Sequence, residues 1–134
     1  MVDKVADIKG MDPAAQQKLE AAGIKTTQQF LQQTGTAQQR NALAKQIGVA
    51  PSQLTEWVNR ADLMRLKGVG KEMANLLEEC GVDSIKELQH RKPENLYAAL
   101  KQANDEKKIT HHAPTQSQVE EWIREAGTLS GSVS

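Results

Sequence analysis

The run Lys67-Gly68-Val69-Gly70-Lys71 sets two glycines, one residue apart, between two cations. Glycine takes left-handed backbone angles without a side-chain clash and lets the main chain approach a partner closely. Backbone N–H groups of such a turn, opening into a helix, can donate to a phosphate oxygen. Lys67, Gly68, Val69, Gly70 and Lys71 are therefore candidate contacts to a phosphate group. Arg65 just before them, and Lys107 and Lys108 further on, could extend the positive patch. The same glycines have a second use, which is to close a tight turn between two helices that only pack, or that meet a protein.

Other reactive residue types point to packing rather than chemistry. Cys80 precedes Gly81 as Ala22 precedes Gly23, which suits a small, half-buried packing residue. His111-His112 has no second ligand pair at a spacing that completes a metal site, and reads as a loop before a helix cap at Thr115. Trp57 and Trp122 could stack on bases. Their spacing from Leu54 and Val58, and from Val119 and Ile123, instead puts each on the apolar face of a helix. There is no P-loop, H-E-x-x-H, Ser/His/Asp set or paired-carboxylate signature. The expectation is a binding module without catalytic residues, cofactor or metal.

The elements that position these residues repeat along the chain. Residues 8–11 read IKGM and residues 66–69 read LKGV, 58 apart. At that spacing Leu19 meets Leu77, Gly23 meets Gly81, Ile24 meets Val82 and Phe30 meets Leu88. QLTEWVNRA (53–61) matches QVEEWIREA (118–126) at a spacing of 65, with the tryptophans in register. An insertion near residues 104–110 would account for the difference. Asp12-Pro13 predicts a helix start, and Gly23 and Gly81 predict helix ends. Thr26 to Gln29 and Ser84 to Glu87 have the form of capping boxes. A helix is expected over about 36–47. Another, over about 51–66, would leave the first copy and enter the second. Strand signals are nearly absent, so the fold class is all-α.

Composition bounds the function. Seventeen Lys+Arg balance seventeen Asp+Glu among 134 residues. Neither half is basic, so a polybasic nucleic-acid binder is excluded. A hydrophobic fraction of 38% with 3% aromatics suits a helical protein with a modest core. One cysteine excludes an internal disulfide framework. No apolar run approaches the ~20 residues of a membrane span, and residues 1–10 lack the apolar stretch of a signal peptide. A cytoplasmic location is the expectation. Glutamine pairs at 16–17, 28–29, 32–33 and 38–39 form a neutral face, poorly suited to a polyanion and suited to a partner protein.

The stretch LKGVGKEMANLL (66–77) resembles the helix-hairpin-helix motif, with Leu66, Gly68, Val69, Gly70, Ala74 and Leu77 at the motif's positions. The resemblance implies a hairpin that grips the DNA backbone without reading sequence. The first copy, IKGMDPAAQQKL, departs from it. Asp12 replaces the second glycine and Gln16 the small residue, and a carboxylate at the tip would repel phosphate. Over about residues 3–127 the layout resembles a bacterial family of tandem helix-hairpin-helix domains of unknown function. The expected organisation is a first, degenerate repeat over 1–62, a second over 63–127, and a disordered tail over 128–134. The expected function is weak, sequence-independent DNA binding through the second hairpin. The alternative is a protein-interaction adaptor that keeps the fold without nucleic-acid contact.

Overall fold

The structure, a computed structural model, describes residues 3–129. Each helix begins and ends where local chemistry dictates. Helix α1 (Pro13–Ala21) opens on Asp12, whose carboxylate accepts from the Ala14 N–H, and Pro13 supplies its first residue. Helices α2 (Thr27–Gln32) and α3 (Ala37–Ile47) both open on reciprocal Thr/Gln capping boxes, Thr26 with Gln29 and Thr36 with Gln39. Helix α4 is Pro51–Leu63, α5 Lys71–Glu79, α6 Ile85–Gln89, α7 Pro93–Lys107 and α8 Gln116–Thr128. A short 3-10 turn at Val5–Asp7 precedes them. Among the described residues there is no strand, only one antiparallel bridge between Lys4 and Thr26. The fold is all-α.

Element lengths recur at the spacings noted in the sequence. Helices α1 and α5 are each nine residues long and begin 58 residues apart, while α4 and α8 are each thirteen and begin 65 apart. Contacts run in parallel: α4 packs on α2 and α3, α8 packs on α6 and α7, α1 meets α3, and α5 meets α7. A contact between α4 and α6 joins the two sets. One apolar core gathers both tryptophans with Phe30, Leu54, Leu77 and Leu88. Trp57 and Trp122 are only 1% and 2% exposed, which removes them as base-stacking platforms.

Several boundaries differ from expectation. The helix expected over 51–66 ends at Leu63, because the Arg65 and Leu66 N–H groups tighten into turns bonded three residues back. The loop expected at 104–110 is partly helix. Helix α7 is 15 residues against 11 for α3, and runs to Lys107 before Lys108 turns left-handed at φ +53°. Asn104 Oδ1 then accepts from Thr110 N–H at 2.9 Å and closes the loop. Ser84 accepts from Glu87 N–H but has only that half of a capping box. Ala15, not the residue 58 before Ala74, is the buried small side chain of α1; Gln16 is half-buried. At the C-terminus, Thr128 belongs to α8 and Leu129 packs half-buried against the core, so neither is tail. Residues 130–134 of the expected disordered tail lie outside the described residues.

Candidate nucleic-acid interface

The candidate residues occupy the turn between α4 and α5. Leu66 and Val69, each 2% exposed, anchor it in the core, and Val69 N–H donates to Leu66 C=O at 3.1 Å. Gly68 has φ +83°, a conformation that costs an L side chain about 1–2 kcal/mol. Gly70 differs from expectation. Its φ of −99° is ordinary extended backbone, open to any residue, and nothing lies within 4 Å of where a Cβ would be. Its significance lies in what it lacks. Gly70 is the N-cap of α5 and offers no side chain, so the first-turn N–H groups of α5 have no cap. Lys67 and Lys71 are exposed beside them.

Helix α8 clamps this turn from behind. Trp122 Nε1 donates to the Lys67 C=O at 2.9 Å, and Glu125 Oε1 accepts from the Lys67 N–H at 3.1 Å. Both backbone groups of Lys67 are thereby engaged, and the donors that remain open lie on the α5 side. Glu125, bonded to the Lys67 N–H, and the exposed Glu72, next in sequence to Lys71, add two carboxylates to the same turn. The wider positive patch does not assemble. Arg65 pairs with the buried Asp62 at 2.8 Å. Lys107 pairs with Glu79 at 2.7 Å, at the other end of α5, about 12 Å away at ~1.5 Å per residue.

The corresponding turn at Ile8–Asp12 has the same backbone course and different chemistry. Gly10 has φ +80°, and Met11 N–H donates to Ile8 C=O at 3.1 Å. Here Asp12 caps α1, and Pro13 brings no N–H at all. Arg60, 65 residues before Glu125, donates to the Lys9 C=O and grips Glu78 of α5 through two 2.6 Å bonds. Trp57 Nε1 is buried without a partner. Arg60 and Glu125 were not singled out from the sequence. The signal was available: each lies three residues after its tryptophan, hence on the same helical face.

The remaining reactive side chains do not join this site. Cys80 is half-buried; burial pushes its thiol above the usual range, and the positive charge of Arg91 opposes that more weakly. His111 and His112 are exposed in the loop before α8. Among the described residues no three His, Cys, Asp or Glu side chains are grouped to hold a metal ion, and no helix is long and apolar enough to cross a membrane. No curated protein and no solved structure significantly matches the chain. A family model, described as a domain of unknown function (DUF4332), matches residues 9–129, and the chain belongs to that family.

Proposed function

We propose that the two halves are copies of one helix-hairpin-helix unit, and that the protein is a non-enzymatic module whose second copy binds the phosphate backbone of DNA weakly and without reading sequence. The observation that carries this reading is the bare N-terminus of α5. Gly70 leaves the first-turn N–H groups uncapped between exposed Lys67 and Lys71, where α1 is capped by Asp12. Open N–H groups and the positive end of the helix dipole favour an anion. Lys67 and Lys71 add charge without base recognition, since phosphate contacts position a protein and carry no sequence information.

A titration of labelled duplex DNA at low salt tests this. Few phosphates are neutralised, so the log–log salt slope should be shallow, about −2 to −3 at ~0.9 per phosphate. Gly70→Asp should abolish binding by capping α5 and placing a carboxylate where the phosphate would sit. Absence of saturable binding, or Gly70→Asp binding as well as wild type, overturns the DNA reading.

The second reading is a protein-interaction adaptor without nucleic-acid contact. Glu125 favours it, because its carboxylate already occupies the Lys67 N–H and, with Glu72, cancels the local charge.

A further inference from the structure

An open cleft of about 510 Å³ lies between the end of α1, helix α2 and helix α3. Gln29, Gln32, Gln33, Gln39 and Gln46 line it over a floor that includes Ile24 and Leu43, and none of its lining residues carries a charge. Gln29 Oε1 accepts from the Lys25 and Thr26 N–H groups at 2.8 and 3.1 Å, and Gln39 Oε1 accepts from the Thr36 N–H at 3.1 Å. The capping boxes thus hold two of the side chains and commit their carbonyl oxygens. Their amide N–H groups remain as donors.

The other half shows what fills such a place. At the 58-residue spacing Gly23, Gln29 and Gln33 become Gly81, Glu87 and Arg91. The Arg91 guanidinium lies across Gly81, where an added Cβ would be 3.0 Å from Nη2, and Arg91 Nε bonds Glu87 at 3.1 Å. A planar hydrogen-bonding group thus lies against that glycine, which stays exposed, and a carboxylate balances its charge. At Gly23 nothing lies within 4 Å of an added Cβ, and the balancing carboxylate is replaced by the neutral Gln29.

We propose that this cleft docks an uncharged, extended peptide segment of a partner protein, whose planar amides take the place over Gly23 that Arg91 takes over Gly81. The uncharged, amide-rich lining selects the occupant. A charged group entering the cleft would lose hydration and meet no counter-charge. A neutral amide brings both a donor and an acceptor, matching the same pair on Gln32, Gln33 and Gln46 and the donors left on Gln29 and Gln39. The inference stands apart from the phosphate reading and uses none of its residues.

The test follows the resonances of the Gly23 backbone N–H and the Gln32, Gln33 and Gln46 side-chain amides. The probe is an N-acetylated, C-amidated hexapeptide of alternating glutamine and alanine. The expected result is saturable shifts confined to the cleft. The double variant Gln29→Glu, Gln33→Arg builds the pair of the other half across Gly23 and keeps an acceptor for the Thr26 cap. It should melt no lower than wild type and bind the peptide at least ten-fold more weakly. Loss of cleft shifts in wild type overturns the proposal. So does equal binding by the double variant, by an arginine-substituted peptide, or by duplex DNA at the same resonances.

Discussion

Gly68 and Gly70 look alike in the sequence and do different work. Gly68 needs its positive φ, so Gly68→Ala should destabilise the protein by about 1–2 kcal/mol in a denaturant titration. Gly70 has an ordinary φ and open space around it. Gly70→Asp should therefore leave stability unchanged or raise it by a few tenths of a kcal/mol, as an N-cap carboxylate does relative to glycine. A well-folded Gly70→Asp protein makes its DNA titration interpretable, while a clear fall in melting temperature would contradict the backbone assignment. Cys80 is a second case in which one environment decides behaviour. Burial raises its thiol, with Arg91 opposing less strongly. Its reaction with a disulfide reagent near neutral pH should be slower than that of a free cysteine, since the thiolate is the nucleophile. A rate equal to or above the free thiol would refute that.

The tryptophan helices carry most of what one element does for another here. Trp57 and Trp122 are both buried in the core, at 1% and 2% exposure. Replacing either with Ala should cost about 3–5 kcal/mol, the range for large-to-small aromatic changes. Trp122→Phe should cost more than Trp57→Phe. Trp122 gives up a 2.9 Å bond to Lys67, whereas Trp57 Nε1 has no bond to give. Equal losses on chemical denaturation would show that the indole N–H of Trp122 contributes nothing net. At the far end of α5, Glu79 and Lys107 tie that helix to α7. The Lys107 hydrogen bond, and then its charge, hold the Glu79 carboxyl below the usual range. A lowered carboxylate contributes stability above its unfolded pKa and loses it as pH falls through the folded value. The melting-temperature difference between wild type and Glu79→Gln should accordingly shrink as the pH is lowered through the acid range. Both side chains face solvent, so the effect should be small and fade with salt.

Arg60 joins parts of the chain that the helix order leaves separate. From α4 it bonds Lys9 in the first turn and grips Glu78 in α5. Its side chain is 16% exposed, so this charged pair is screened less than a surface one. Arg60→Ala leaves Glu78 and the Lys9 carbonyl without this partner, and should cost about 1.5–3 kcal/mol, the range for hydrogen bonds to charged groups. Hydrogen exchange should then quicken both at the Ile8–Asp12 turn and along α5. Acceleration at only one of them would show that Arg60 does not couple the two. With zero net charge and two carboxylates beside the candidate lysines, the molecule as a whole provides little long-range attraction for a polyanion. On the proposed reading, DNA affinity arises at the uncapped turn itself.

Several helix boundaries were legible in the sequence because they rest on contacts within four residues. Pro13 with Asp12, Thr26 with Gln29, Thr115 with Gln118 and the left-handed Gly23 and Gly81 each mark a boundary through a bond or angle available locally. The apolar spacing around Trp57 and Trp122 likewise identified which face of each helix enters the core. The chemistry of the candidate site was not legible in the same way. Glu125 reaches Lys67 across 58 residues, and Arg60 reaches Lys9 across 51. Arg91 lies against Gly81 while nothing lies within 4 Å of an added Cβ at Gly23, although both glycines have φ +85°. Those outcomes depend on helix packing angles and side-chain rotamers, which hydrophobic period and capping pattern do not encode. Only the tertiary structure decided which backbone donors are covered and which stand open.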